Sequence, residues 1–190
     1  MQIILGTGNP SKVFEINKIT NDENIEFILP PSDFAPEETG STFEENSYIK
    51  AKAAYDIGKK ISLADDSGLC IEALDGAPGL YSARYAGTQK EKIERILSEL
   101  DGIEDRRAKF VCTMTLLDNN GEVLHIAKGE CHGQIIKEAR GTNGFGYDPI
   151  FMPDGFDVTI AQLSEDEKNA ISHRGNALRD MLEFIKTNLL

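Results

Sequence analysis

The chain opens with short, mostly apolar segments that polar turns separate. Residues 2–5, 25–29 and 61–64 have the length and composition of buried strands. Further along, residues 108–117 and 122–128 flank the turn sequence Asp-Asn-Asn-Gly, a pattern that predicts an antiparallel hairpin. Strands connected through helices run parallel, whereas the two strands of a hairpin do not, so we expect a mixed sheet.

Helices are predicted where a start signal precedes apolar residues at helical spacing. Thr42, Thr88 and Ser164 are each followed three residues later by glutamate, which is the pattern of a capping box. The helix after Thr42 is expected to end at Gly58. The apolar residues that three of the predicted helices would bury are Val13, Ile16, Ile19, Ile93, Ile96, Leu97, Leu100, Ala177, Leu178, Met181, Leu182 and Ile185. Helices that alternate with strands indicate an α/β fold, and we predict a single domain over residues 1–190.

Composition and charge narrow the classes of partner. The chain carries a net charge of −12, which would repel a nucleic acid duplex over most of the surface. A small phosphorylated ligand remains compatible, because a divalent cation and a few basic residues can reverse the field within one pocket. No apolar run approaches the roughly 20 residues that span a bilayer, and the N-terminus has no leader pattern. We therefore expect a soluble cytoplasmic protein that binds neither nucleic acid nor membrane.

A Gly-rich turn joins the first predicted strand to the first helix. This segment, GTGNPSK, runs from Gly6 to Lys12, and its small residues would let backbone N–H groups approach an anion at the helix N-terminus. It is not a P-loop, because Ser11 stands where the second glycine would be needed. The alternative is an ordinary turn in which Asn9 or Ser11 caps the helix. Asn9 and Lys12 favour phosphate binding.

Two pairs of acids suggest a metal site. Glu37 and Glu38 lie in a loop, and Asp65 and Asp66 directly follow the third predicted strand. Carboxylate oxygens suit Mg²⁺, which takes one or two of them together with substrate phosphates. For the two glutamates alone, simple solvation is the favoured alternative. The two aspartates are expected at the end of a strand, where their mutual repulsion favours a bound cation.

Two further segments could recognise a base. In GFGYDP, glycines flank Phe145, so this ring and that of Tyr147 could stack on a nucleobase while Asp148 accepts a base N–H. Packing of a loop aromatic onto the core is the commoner case. Lys168, His173 and Arg174 form a second group of potential donors. An exposed turn between two helices would explain that group equally well.

Five segments, in this order, carry a resemblance that extends from end to end of the chain. They are TGNPSK, EETGSTFEENSYIKAKA, LADDSGLCIEALDGAPGLYSARYAG, GFGYDPIF and LSEDEKNAISHRG. Together they resemble the inosine triphosphate pyrophosphatase family, enzymes that remove non-standard purine nucleoside triphosphates. The resemblance implies an elongated α/β fold, a mixed sheet flanked by helices with two lobes around a central substrate cleft, and a homodimer.

The resemblance also implies an activity and its residues. It implies Mg²⁺-dependent hydrolysis of inosine, deoxyinosine or xanthosine triphosphate (ITP, dITP, XTP) to the monophosphate and pyrophosphate. Glu37 and Asp66 would hold Mg²⁺, although the sequence leaves open whether Glu37 or Glu38 reaches it. Asp66 would also accept a proton from the attacking water, and Lys52 is a further candidate that faces the phosphates. The residues expected to touch substrate are Thr7, Gly8, Asn9, Pro10, Ser11, Lys12, Ser67, Phe145, Gly146, Tyr147, Asp148, Lys168, His173 and Arg174.

Two other functions stay open on the sequence. A non-catalytic nucleotide sensor could use the same turn and base pocket, but it would have little use for two acids beside a metal that binds water. A pyrophosphatase for modified pyrimidine triphosphates is the nearer alternative. The sequence does not rank ITP, dITP and XTP against one another.

Overall fold

A computed structural model describes residues 1–31 and 33–190, with the side chains of Ser11 and Glu15 outside the described part. The strands are β1 (Gln2–Leu5), β2 (Glu26–Ile28), β3 (Ser62–Ile71), β4 (Arg107–Leu117), β5 (Val123–Ile135) and β6 (Phe151–Pro153). The helices are α1 (Pro10–Thr20), α2 (Phe43–Gly58), α3 (Gln89–Glu99), α4 (Glu165–Ile171) and α5 (His173–Asn188). Short 3₁₀ helices cover Glu72–Leu74, Gly79–Arg84, Asp148–Ile150 and Ile160–Gln162.

The strands form one mixed sheet in the order β2-β1-β3-β4-β5-β6. Strand β1 runs parallel to both β2 and β3, whereas β5 and β6 are antiparallel. Strands β4 and β5 form the predicted hairpin. At its turn the N–H of Asp118 donates to the carbonyl of Glu122, and at its open end the N–H of Ile135 donates to the carbonyl of Arg106. The α/β fold with a mixed sheet is confirmed. The elongated shape and the cleft stay predictions.

The chain forms two compact units. The first unit comprises Met1–Asp66, Cys112–Lys128 and Ala177–Leu190, and the second comprises Ser67–Val111 and Gly129–Asn176. Strands β3, β4 and β5 each contribute residues to both units. The single domain over residues 1–190 stays a prediction.

In the first unit, strand alternation sends neighbouring residues to two different helices. Successive side chains of a strand point to opposite faces of the sheet. Leu63 packs in a core with Ile16 of α1 and Leu178 of α5. Ala64, the next residue of β3, packs instead against Ala51 of α2. By the same alternation, Asp65 lies on the face of Leu63 and Asp66 on the face of Ala64.

The observed β3 corrects the sequence prediction for its end. A strand over residues 61–64 was expected to stop before the acids, but β3 continues to Ile71. Leu69 and Ile71 are fully buried in the core of the second unit, so the apolar pattern resumes after the polar residues. Asp65 and Asp66 therefore lie inside the strand, not in a turn after it.

The predicted helix starts are confirmed, but at α2 the glutamate of the expected capping box binds a different residue. Complete capping boxes begin α3 at Thr88 and α4 at Ser164. At α2 the Thr42 hydroxyl accepts from the N–H of Glu45 at 3.1 Å, but the Glu45 carboxylate accepts from the N–H and hydroxyl of Ser41. Helix α2 ends at Gly58, as expected. Among the described residues, none of the helices is both long and apolar enough to cross a membrane.

Candidate functional site

The predicted phosphate-binding turn lies between β1 and α1 in the first unit. Its residues Gly8, Asn9 and Pro10 are exposed, and Thr7 is half-buried. The Thr7 hydroxyl accepts from the N–H of Asn9 at 3.2 Å, which orders the turn before the helix begins. The positive end of the helix dipole lies at this exposed turn, which suits an anion. Ser11 belongs to the helix, but its side chain lies outside the described part of the structure.

Gly6 lets this turn lie against α2. A Cβ at this position would stand 2.8 Å from the Cβ of Ala64 and 3.0 Å from the carbonyl oxygen of Lys50. Neither atom belongs to a flexible side chain, so any larger residue would separate the turn from α2. The glycine therefore holds the turn close to the helix that carries Lys50.

The two aspartates of β3 are paired with lysines from different helices. Lys12, in the first turn of α1, forms an ion pair with Asp65, whose side chain is 4% exposed. On the α2 side, the ammonium of Lys50 lies 2.8 Å from Oδ1 of Asp66 and 2.9 Å from Oε1 of Glu38. We call Glu38, Lys50 and Asp66 the Lys50 cluster. Asp65 therefore lies next to the turn that ends at Lys12.

The loop before α2 brings Glu38, rather than Glu37, to this cluster. Exposure alternates along the extended residues 33–40, so Glu37 faces solvent and Glu38 is partly buried. The N–H of Gly40 donates to Oδ1 of Asn46 at 2.8 Å and fixes the loop on the first turn of α2. Sequence reasoning left the choice between the two glutamates open, and the structure joins Glu38 to Asp66 through Lys50.

The structure corrects the prediction that Lys52 faces the phosphates. Its ammonium lies 2.6 Å from Oδ2 of Asp56, four residues further along α2, where both side chains are substantially exposed. Residues two positions apart on a helix point to nearly opposite sides, so Lys52 turns away when Lys50 faces Asp66. Sequence reasoning missed Lys50. The available signal was its place beside the buried small residues Ser47, Ala51 and Ala54 on the inner face of α2.

Burial and charge shift the proton affinities in the Lys50 cluster. Burial raises the pKa of the Asp66 carboxyl and the charge of Glu38 adds to this effect, although Lys50 opposes both. Burial acts to lower the pKa of the Lys50 ammonium, but the charge of Asp66 and hydrogen bonds to Asp66 and Glu38 outweigh it, so the pKa is raised. Asp66 is therefore a stronger base than an ordinary aspartate, beside a lysine that stays charged.

The cluster is compatible with a magnesium ion. Within residues 1–31 and 33–190, no three acidic, histidine or cysteine residues are grouped to hold a metal. Mg²⁺ needs only one or two protein carboxylates when phosphate oxygens complete its shell. Glu38 and Asp66 already bind one cationic group between them, the ammonium of Lys50. Two carboxylates that already converge on one cation therefore fit the protein's share of such a shell.

In the second unit, Phe145 presents an open ring to solvent. The residue is 57% exposed. The ammonium of Lys168 lies 4.7 Å from the ring centroid, and the guanidinium of Arg174 lies 5.9 Å from it. Lys168 also pairs with the buried carboxylate of Asp148 at 2.6 Å, and the N–H of Phe145 donates to the same oxygen at 2.9 Å. Phe145, Asp148, Lys168 and Arg174 are thus brought together.

Glycines shape the loop around this ring. Gly144 has φ +74°, and a Cβ there would stand 2.1 Å from Oδ2 of Asp148. Gly146 has φ +64°, a conformation that also favours glycine. Both glycines therefore permit the backbone conformation of the loop that carries Phe145.

Tyr147 does not share the exposure of Phe145. The residue is 4% exposed in the core of the second unit, and its hydroxyl donates to the carbonyl of Ser82 at 2.9 Å. Burial raises the pKa of Tyr147 to about 12. The expectation of a free aromatic pair is therefore wrong for Tyr147, which packs onto the core as the commoner alternative predicts. Its hydroxyl anchors the loop that carries Phe145.

The remaining predicted residues lie at the ends of elements. His173 and Arg174 are the first residues of α5, and only Ser172 separates that helix from α4. The His173 ring stacks on Phe110, with centroids 4.9 Å apart and an interplanar angle of 14°. Both side chains are half-buried, so an exposed turn does not describe them. Ser67 is half-buried in β3, directly after Asp66.

Replacing Lys12 by methionine should destabilise the fold. The change removes the ammonium beside the buried Asp65 carboxylate, and we expect the free energy of unfolding to fall by about 1–3 kcal/mol. Urea unfolding of the two proteins measures the difference. Lys52→Met is the matched control, because its pair with Asp56 is exposed and should leave the unfolding midpoint nearly unchanged. Equal shifts in the two variants would contradict the structural role of the Lys12–Asp65 pair.

Known proteins match this chain along nearly its whole length. The model of the Ham1 family matches residues 3–184. A dITP/XTP pyrophosphatase of Treponema denticola is 46% identical over 196 residues, which cover 98% of this chain and 99% of that protein. A dITP/XTP pyrophosphatase of Aquifex aeolicus is 42% identical over 198 residues, 98% of this chain and 97% of that one.

Solved structures agree with the sequence matches. The Ham1 protein of Staphylococcus aureus has a TM-score of 0.89 and 42% identity, covering 98% of this chain and 99% of its own. The HAM1 protein of Coxiella burnetii has a TM-score of 0.89 and 43% identity, with the same coverage. By its sequence and by its fold, this chain belongs to the Ham1 family.

Proposed function

We propose that the protein hydrolyses non-standard purine nucleoside triphosphates (ITP, dITP and XTP) to the monophosphate and pyrophosphate. Relatives with 41–46% identity over nearly the whole chain bear the name dITP/XTP pyrophosphatase, which supports this substrate class. The observation that carries the proposal is the pairing of both β3 aspartates with lysines beside the Gly-rich turn. Together these groups supply what a polyphosphate needs: N–H donors, cations, and carboxylates for a metal.

The proposed cofactor is Mg²⁺, with Glu38 and Asp66 as its protein ligands. The resemblance implies Glu37 for this role, but the contact of Lys50 with both Glu38 and Asp66 favours Glu38. When bound, Mg²⁺ would offset phosphate charge and withdraw electrons from the phosphorus. The exposed end of α1 and the ammonium groups of Lys12 and Lys50 would hold the remaining phosphate oxygens.

Asp66 is the proposed proton acceptor. A water molecule adds to the α-phosphorus as Asp66 takes its proton. The bond between the α-phosphorus and the bridging oxygen then breaks, and its electron pair leaves on pyrophosphate. The position of Asp66 supports this role, because its carboxylate lies in the cluster proposed to hold the metal and the phosphates. Lys12 and Lys50 would stabilise the negative charge that develops on the phosphate oxygens. The mechanism requires no covalent intermediate.

Recognition of the nucleoside is proposed for residues of the second unit. The exposed ring of Phe145 would stack on the purine, and Arg174 and Lys168, which flank that ring, would donate to a keto oxygen. His173, Asp148 and the loop at Gly146 would complete the contacts. Adenine carries an amino group where hypoxanthine carries the keto oxygen, so a donor would then face a donor and lose its partner.

Assembly and location complete the proposal. The resemblance supports a homodimer, and the acidic net charge of −12 argues against nucleic acid as a partner. The three cysteines are all free thiols, which is compatible with a reducing cytoplasm.

A substrate panel tests the proposed activity. With Mg²⁺, we expect ITP, dITP and XTP to release pyrophosphate, measured as phosphate after an inorganic pyrophosphatase is added. ATP should have a kcat/KM at least about 10²-fold lower. EDTA should abolish the reaction. Binding of ITP without release of pyrophosphate would indicate a nucleotide sensor. A preference for modified pyrimidine triphosphates would indicate a pyrophosphatase for that substrate class.

Substitution of Asp66 tests the mechanism. Asp66→Asn keeps the shape of the side chain but cannot accept a proton, so turnover of ITP at saturating Mg²⁺ should fall on the order of 10²-fold or more. Lys52→Gln is the control, since its partner is Asp56 on the exposed side of α2, and it should retain wild-type turnover. Near wild-type turnover by Asp66→Asn would reject Asp66 as the base.

A further inference from the structure

Lys50 occupies the place that the proposed metal would need. Its ammonium lies 2.9 Å from Oε1 of Glu38 and 2.8 Å from Oδ1 of Asp66, so both oxygens already bind a cationic group. Its side chain is only 13% exposed. These are short, charge-assisted contacts, which are stronger than hydrogen bonds between neutral groups. The cation between the two carboxylates therefore belongs to the protein itself.

The ammonium and a divalent metal compete for the same oxygens. A Mg²⁺ ion between Glu38 and Asp66 would stand next to Lys50, and two cations at such a distance in a partly buried site repel each other. Lys50 must then leave the carboxylates for metal to bind well. Since the lysine stem is long and flexible, the ammonium can move while α2 stays in place.

We propose that Lys50 is a resident counter-ion that competes with the divalent metal for Glu38 and Asp66 and is released toward the phosphates when metal binds. The ammonium neutralises the two carboxylates in the absence of metal. A polyphosphate offers the displaced ammonium a new anionic partner, so metal and substrate favour each other's binding. The inference rests on the proposed function only for the place of the metal.

This exchange distinguishes Lys50 from Lys12. Lys12 pairs with Asp65, which points to the opposite face of β3 and is not a proposed metal ligand. Removal of Lys12 should therefore leave metal affinity in the absence of substrate largely unaffected. Removal of Lys50 should increase it, because two carboxylates would then face each other without a cation.

Binding of Mn²⁺ alone, followed by the electron paramagnetic resonance of the free ion, tests the proposal without any turnover. Lys50→Gln should bind Mn²⁺ at least about fivefold more tightly than the wild type, the lower end of ordinary coupling energies. Lys50→Arg keeps a cation in the cluster and should bind no more tightly than the wild type. Lys52→Gln, the control on the other side of α2, should match the wild type. Equal or weaker binding by Lys50→Gln, or none at all, would overturn the proposal.

If Lys50→Gln is less stable than the wild type, thermal unfolding at increasing Mn²⁺ concentrations provides a second measurement. Mn²⁺ should raise the melting temperature of Lys50→Gln at concentrations that leave the wild type unchanged, and failure to do so would count against the competition. The result is separate from the test of hydrolysis. If Lys50→Gln binds Mn²⁺ more tightly but the wild type does not turn over ITP, the competition between Lys50 and metal is supported and the proposed function is rejected.

Discussion

The organisation of the site depends on two neighbouring aspartates that point to opposite faces of one strand. Asp65 and Asp66 are almost completely buried, and an isolated carboxylate in such a place is too costly to remain ionised. Each therefore needs its own cation, and the sheet supplies a different helix on each face. Lys12 comes from α1 and Lys50 from α2. The alternation of a single strand thus fixes the position of both helices relative to the acids.

This constraint links stability to the proposed chemistry. Glu38 reaches Lys50 only because the loop before α2 is bound to the first turn of that helix, through Asn46 and the cap at Thr42. The same packing leaves Asp66 in a partly desolvated place, which makes it more basic. In the second unit, the buried hydroxyl of Tyr147 plays a corresponding part, because it fixes the loop that exposes Phe145. Buried polar contacts thus hold the side chains that are proposed to act on substrate in each unit.

Local patterns in the sequence predicted the elements well but not the partners of the side chains. The capping signals at Thr88 and Ser164 and the hairpin turn after Leu117 depend on residues close in the chain, so they were readable. The full length of β3 was not, because two aspartates interrupt its apolar pattern and their lysines come from distant segments. The choice of Lys50 over Lys52 depends on which face of α2 meets the sheet. The burial of Tyr147 likewise depends on Ser82, far away in the sequence.

If Glu38 and Asp66 exchange a lysine for a metal when metal and substrate bind, a structure of the complex should show the exchange. Crystals grown with Mn²⁺ and a non-hydrolysable analogue of ITP would reveal this exchange, since anomalous scattering locates the manganese. We expect manganese bound by Glu38, Asp66 and phosphate oxygens, with the ammonium of Lys50 moved onto a phosphate. Manganese at another place, or Lys50 still lying between the two carboxylates beside bound analogue, would contradict it.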